Sequence, residues 1–585
     1  MKTLNANFKL ILGVIVMLMM VLTSCNPNES VDIPEVPEGM SGNSQIDFGS
    51  NIQRDFMGRI VDQSSIPLDN VNITIGNKTA ITDNNGMFVI NDVSVKERLG
   101  FITAQKPGYL KGMRSVVPTS GTNMINIMLV AETLVSTVAS GISSEVTLSN
   151  GAKVSFDGAF KDENGNAYSG NVDVYMYHLE TSNPAIEAIM PGNLQAENAN
   201  GEERVLVSYG MLNVELKGAS GEKLNIADGS VAQIELPINP AQNGVAPATI
   251  PLWHFDEVSG VWMEDGEATL VGGKYQGEVS HFSWWNWDAP FPAVILCINA
   301  VDANNNPLAN LDIKLIESNA VNGRTAFTNG DGNICGFVPI NEAFTLKAFD
   351  PCGVEVFSSN IGSFAADTNY SLVLPSVTAT VISGTLVNCA NTNVTNGYAS
   401  IIYGNQLASV PVTNGDFTLT VIQCAALTSF SLEGVDYDTF EETDTISYDF
   451  GSADVGNIIA CNAVSEYITL QVDNDPVDYF LSNITADSWS STSVSIGGQN
   501  DIGESILISG SATTLGTHPD NGSSYIGIEL NSLNIDHGVP NTLASTITNF
   551  GTVGQYIDIT ITGSYTDNNG VVKSLSAAIH VLRDN

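Results

Sequence analysis

Five of the six tryptophans, Trp253, Trp262, Trp284, Trp285 and Trp287, fall in one short stretch of the chain. Side chains alternate along an extended strand, so Trp284 points to one face while Trp285 and Trp287 share the other. Indoles on an open sheet face make a stacking platform for sugar rings, whose axial C–H groups pack on aromatic π-faces. In a closed core the same residues anchor a sandwich, since each aromatic buries about 150–250 Å². Both readings stand at this level, and Trp284, Trp285 and Trp287 are the candidate ligand-binding residues.

Other reactive groups are more scattered. The histidines (His178, His254, His281, His518, His537 and His580) occur singly, with no His-Glu-x-x-His pattern. There is no Gly-x-Ser-x-Gly elbow and no Gly-x-x-x-x-Gly-Lys loop, so no catalytic residue is nominated and the expectation is a protein that is not an enzyme. His254 and His281 flank aromatic strands and are expected to be structural. Carboxylates are abundant, yet no acid pair stands out from turn residues, and an unrecognised hydrolase has no candidate residues. The turns Asp162-Glu-Asn-Gly-Asn166, Asp302-Ala-Asn-Asn-Asn306 and Asp473-Asn-Asp475 offer oxygen atoms to Ca²⁺, but none matches the twelve-residue EF-hand loop. A structural Ca²⁺ is thus the one cofactor left open, no metal ligands are assigned, and ordinary hairpin chemistry is the expectation.

Cys25 stands apart near the start; Cys297, Cys335, Cys352, Cys389, Cys424 and Cys461 follow far downstream. No Cys-x-x-Cys occurs and no histidine is close in sequence, which disfavours a metal cluster and favours disulfides if the chain is exported. Three fall on each side of a boundary near residue 376. If all are oxidised, at least one bridge crosses that boundary; otherwise each side keeps a free thiol. The connectivity is open.

The elements that carry these residues are strands. Alternation dominates, as in Asn70-Val-Asn-Ile-Thr-Ile-Gly76 and Gln555-Tyr-Ile-Asp-Ile-Thr-Ile-Thr562, and helical periodicity is nearly absent. Turn signals such as Asp83-Asn-Asn-Gly86, Asp331-Gly332 and Asp567-Asn-Asn-Gly570 punctuate the strands. An all-β chain of tandem β-sandwiches is expected, and 585 residues require several of them.

A repeat runs through it. The first copy begins Gly58-Arg-Ile-Val-Asp62, passes Pro67-Leu68 and Val71-Asn-Ile-Thr-Ile75, and reaches Ile81-Thr-Asp-Asn-Asn-Gly-Met-Phe-Val-Ile90. The second runs from Cys297-Ile-Asn-Ala-Val-Asp302 through Pro307-Leu308 to Gly336-Phe-Val338. A degenerate third begins Ile382-Ser-Gly-Thr-Leu-Val-Asn388 and reaches Thr413-Asn-Gly-Asp-Phe-Thr-Leu419. Through Gly58, Asp62, Pro67-Leu68, Thr82-Asp83, Gly86, Phe88 and Gly108-Tyr109, the first copy resembles the carboxypeptidase regulatory-like domain. The resemblance implies a seven-stranded transthyretin-like, immunoglobulin-like sandwich without catalytic residues, appended to enzymes, receptors and surface proteins. The segment ending Gly277-Glu-Val-Ser-His-Phe-Ser-Trp-Trp-Asn-Trp-Asp288 resembles the β-rich module of cartilage intermediate layer protein-like surface proteins.

The opening residues give an address. Lys2 and Lys9 precede the apolar run Leu10–Leu22. Thirteen helical residues span roughly 20 Å, short of the ~30 Å of a bilayer core, so this is a signal sequence rather than a permanent span. Leu22-Thr-Ser-Cys25 resembles the lipobox of bacterial lipoproteins, which implies cleavage before Cys25, lipidation (diacylation, palmitate-type chains) at its sulfur, and a membrane partner reached through that lipid. Asn26 in place of an acid implies sorting to the outer membrane, and the acids of the tether suit display at the cell exterior. The expected domains are a signal peptide (1–24), an acidic Pro-rich tether (25–53), a regulatory-like sandwich (54–130), a middle module with the Trp cluster (131–290), a second regulatory-like sandwich (291–375), a third degenerate repeat (376–465) and a C-terminal sandwich (466–585).

The net charge of −42, with no Lys or Arg between Asp350 and Val572, excludes nucleic acid as a partner. Two functional expectations follow: a surface lipoprotein rod for binding, adhesion or structural display, with a polysaccharide or surface protein as partner; or a carbohydrate-binding accessory of a glycan-uptake system, with Trp284, Trp285 and Trp287 stacking on sugar.

Overall fold

The computed structural model describes residues 46–584 except 318–322, 378, 404–405, 424–426, 440, 452, 464–465, 474–477, 491–492, 501–502, 521–524 and 554–555. Cys25, the signal, most of the tether, Cys424 and Asp475 therefore lie outside the described residues. Ser44–Asn585 forms one compact unit. It is all-β, with strands gathered into sandwiches and only short helical turns such as Ile186–Ile189 and Pro240–Gln242. Among the described residues no helix is long and apolar enough to cross a membrane.

The first repeat has seven strands in two sheets. Asn51–Asp62 lies between Met87–Lys96 (antiparallel) and Thr122–Leu129 (parallel). The facing sheet runs Lys78–Ile81, Asn72–Ile75, Gly100–Gln105, Gly112–Val116. The second and third repeats reproduce this pattern. Trp284–Asp302 pairs antiparallel with Asn333–Pro339 and parallel with Thr368–Leu374. Ala379–Asn388 does so with Asp416–Ile422 and Asp454–Ala460. Facing the core, Gly58 sits against Phe88, and a Cβ there would lie 2.6 Å from the ring; Gly384 meets Phe417 in the same way. Glycine is required at both places so that the aromatic after each hairpin can lie across the opening strand.

The turn after each opening strand is built by one side chain. Asp62 Oδ1 accepts from the Ser64 and Ile66 amides, and Leu68 N then donates back to Ile60 O. Asp302 and Asn388 repeat the arrangement, closing at Leu308 and Val394. A fourth instance occurs inside the middle module. Asp162 Oδ1 accepts from Asn164 and Asn166, and Tyr168 N donates to Phe160 O.

The middle module is built on the long strands Glu203–Gly218, Thr249–Asp256 and Val261–Val271. Its last strand does not stop at residue 290. Trp284–Asp302 pairs with Glu203–Gly218 through Pro292 and with Asn333–Pro339 from Ala293 onward. The expected boundary at 290/291 thus lies inside one continuous strand, which joins two modules through backbone hydrogen bonds. A nine-stranded sheet ending in Val572–Leu582 closes the chain around its own apolar core.

Candidate functional site

The tryptophans are core. Trp285 and Trp287 are 0% exposed and Trp284 is 4% exposed. Trp285 and Trp287 lie in the middle module's main core with Leu252, Ile250 and Tyr275. Trp284 points the other way, as alternation requires, into a second core with Trp253, Trp262, Leu110 and Met113. Leu110 and Met113 belong to the first sandwich. Of the two readings left open for Trp284, Trp285 and Trp287, the structure shows the core and not the platform: the middle module's own core encloses Trp285 and Trp287, and the first sandwich covers the face that carries Trp284. His254 and His281 pack against Trp285, with ring centroids 5.7 and 5.1 Å away. Burial lowers the pKa of both rings, that of His281 to about 4.

The first sandwich touches more than its neighbour in sequence. Ser115 Oγ donates to Gly260 O at 2.7 Å, and Lys111 pairs with Glu257 at 2.9 Å, both in the middle module. Asn329 of the second sandwich donates to Thr119 Oγ1 at 3.0 Å and Ser120 O at 2.8 Å. Val117, Val205, Ile295 and Phe337 form a small shared core among these three modules. The Asp83 hairpin reaches the third sandwich, where Tyr398 Oη donates to Asp83 Oδ2 at 2.7 Å and Tyr437 Oη to Met87 O at 3.2 Å. Met57, Met87, Tyr398 and Val435 pack around it. Burial pushes the Asp83 carboxyl above its usual range, against the pull of its hydrogen bonds.

Where the first, middle and second modules meet, they leave a cleft of about 610 Å³. That is within the range of about 300–1,000 Å³ typical of small-ligand sites. One wall is the outer face of the second sandwich. There Asp312 opposes Phe327 and Lys314 opposes Thr325 on adjacent strands, so the four side chains share one face. The Phe327 side belongs to the exposed hydrophobics, at 43%. Asp312 Oδ1 is buried without a hydrogen-bond partner, and burial raises its carboxyl pKa. The first sandwich contributes Asn126 and Arg114, and the middle module Asn183 and Glu187. Arg114 is committed to Glu187 at 3.3 Å and to Gly192 O at 3.1 Å. Arg324, at the edge, is committed to Glu317 and Leu206 O, both at 2.9 Å. None of these residues was singled out from sequence. Asp312, Lys314 and Phe327 occupy outward positions of ordinary alternating strands, a pattern shared by any solvated face.

The described cysteines are oxidised. Cys297–Cys335 bridges directly opposed strand positions of the second sandwich, and Cys335 lines the cleft. Cys389–Cys461 lies within the third. Cys352 is also disulfide-bonded. Its two companions in 291–375 are bonded to each other, so its partner lies outside that segment. The acidic turns spend their oxygens on the chain. Asp162 and Asp302 accept from two amides and a side-chain NH₂, and Asp473 from Ser574 N and Oγ. Among the described residues no cluster of three His, Cys, Asp or Glu side chains is placed to hold a metal.

No protein family's sequence profile matches the chain. No curated protein sequence matches it. Solved structures with similar β content include a streptococcal ancillary pilin, 12% identical over 39% of this chain and 98% of its own, TM-score 0.14. The Bacillus anthracis TIE protein is 11% identical over 70% of this chain and 73% of its own, TM-score 0.15. The pilus adhesin SpaC from Lactobacillus rhamnosus GG, in an open conformation, is 10% identical over 70% and 52%, TM-score 0.14. Scores this low carry no functional inference. The all-β, multi-domain class is plain from the chain's own sheets.

Proposed function

We propose that the protein is a non-enzymatic bacterial surface lipoprotein, anchored through Cys25, whose joined β-sandwiches hold a preformed binding cleft. The cleft walled by three modules is the observation that carries the binding half. Such a cavity needs no closure to form, because the Ser115, Lys111 and Asn329 contacts already fix its walls. The anchoring half rests on the lipobox-like Leu22-Thr-Ser-Cys25 and the acidic tether. Two or more acyl chains hold a protein at a membrane where one does not. The non-enzymatic reading is supported by the lack of a His-Glu-x-x-His, Gly-x-Ser-x-Gly or Gly-x-x-x-x-Gly-Lys pattern in the sequence.

Expression of the full chain with labelled palmitate tests the anchor. The wild type is expected to carry label and to sediment with membranes, and Cys25→Ala to lose the label and partition to the soluble fraction. A Cys25→Ala chain retained in membranes would overturn this reading.

A further inference from the structure

We infer that the three-module cleft binds a neutral oligosaccharide, held on the patch formed by Asp312, Lys314, Thr325 and Phe327. This rests on the proposed binding function and supplies its ligand class. The two strands that carry the patch are in direct register, Asp312 opposite Phe327 and Lys314 opposite Thr325. Directly opposed side chains on one face have Cβ atoms about 4.5–5.5 Å apart, so the four groups form one compact surface.

The chemistry of that surface is mixed in a way that suits a polyol. The Lys314 ammonium donates only and the Thr325 hydroxyl donates and accepts, while the Asp312 carboxyl beside them has its Oδ1 enclosed by the wall. The half-exposed phenyl ring of Phe327 offers an apolar face beside these groups. Sugar rings present the same combination, hydroxyls around the rim and C–H bonds on the face. Asn126 on the opposite wall adds a donor and an acceptor, whereas the Asn183 oxygen is already taken by the Ala185 amide.

Charge decides against the alternatives. Arg114 is neutralised by Glu187 and Arg324 by Glu317, and Lys314 stands two residues along the strand from Asp312. The cleft presents no unpaired excess of either sign, so a polyanion or polycation gains nothing there to offset its desolvation. An apolar ligand would strip water from Lys314, Thr325 and Asn126 without replacing its hydrogen bonds. The tryptophans play no part, since they are enclosed.

The test is saturation-transfer NMR and calorimetry on the full chain in detergent. The probes are neutral gluco-, xylo-, manno- and galacto-oligosaccharides of two to six units, with a panel of short neutral peptides alongside. At least one oligosaccharide series is expected to bind saturably. Phe327→Ala is expected to weaken it roughly tenfold or more, as loss of a central aromatic anchor does. Lys314→Met and Thr325→Val are expected to weaken it to a lesser degree, while Leu515→Ala, at an exposed position of the C-terminal sandwich, leaves it unchanged. Thermal unfolding of each variant controls for folding. Saturable peptide binding lost in Phe327→Ala, with no sugar bound, would overturn the ligand class and leave the binding cleft standing. Binding of neither panel would overturn both. Sugar binding indifferent to all three patch variants would place the site elsewhere.

Discussion

The Asp288 carboxyl lies among Asn286, Ser208 and the Tyr209 backbone, and burial pushes its pKa from 3.8 up to about 8. In the unfolded chain the same group ionises near 3.8, so between these values the folded state holds a proton that the unfolded state releases. Stability from this group is therefore fully present below about 3.8 and is lost as the pH rises through about 8. Asp288→Asn keeps the shape and removes the titration. The melting temperature of the wild type is expected to fall relative to the variant from pH 5 to pH 9, by less than the roughly 2–4 °C per kcal/mol of a 150–250-residue domain, because the compact unit is larger. Calorimetry of both proteins across that range reads it directly, and parallel profiles would show that Asp288 ionises normally. At this scale the sequence was partly readable. The opposite directions of Trp284 and Trp285 follow from strand geometry. The enclosure of Trp284 does not, because it depends on Leu110 and Met113 arriving from another module.

Among the elements, the legible part was the repeated opening strand with its Asp or Asn turn. Asp62 and Leu68, Asp302 and Leu308, Asn388 and Val394 keep one spacing, and each pair makes the same backbone closure. The instance at Asp162 and Tyr168 has that spacing too. It was obscured because Ala167-Tyr168 replaces Pro-Leu. What could not be read was the run-through strand Trp284–Asp302, since nothing in local alternation marks where one sheet hands over to the next. Cysteine arithmetic gives a prediction at this scale. With Cys297 and Cys335 bonded to each other, a bonded Cys352 ties the second sandwich to another part of the chain. Alkylation of the native protein without reduction should leave Cys352 unmodified. A non-reducing digest should recover its peptide covalently joined to one from outside 291–375. An alkylated Cys352 peptide would show a free thiol instead and remove this staple.

For the whole molecule the first sandwich is the common partner, in contact with the middle, second and third modules. Its hold on the third is the most separable of these contacts, because it concentrates on one hairpin. Tyr398 and Tyr437 both point hydroxyls at it, and burial holds both phenols above their usual range, which keeps them as donors at neutral pH. Tyr398→Phe keeps the ring that packs with Met57 and Met87 and removes the hydroxyl that donates to Asp83 and accepts from Asn85 Nδ2. A buried carboxyl deprived of its shortest hydrogen bond costs about 1–3 kcal/mol. Since 1.4 kcal/mol is a factor of ten, hydrogen exchange at the Asn85 and Met87 amides, which bond to Asp83 Oδ1, is expected to speed up roughly tenfold or more. Exchange in the third sandwich's own core strand, Gly397–Tyr403, should stay unchanged, because that strand's ladder does not involve the hydroxyl. Acceleration throughout Gly397–Tyr403 would mean that Tyr398 supports its own sandwich rather than the joint. Unchanged exchange at both places would mean that apolar packing alone holds the first and third sandwiches together.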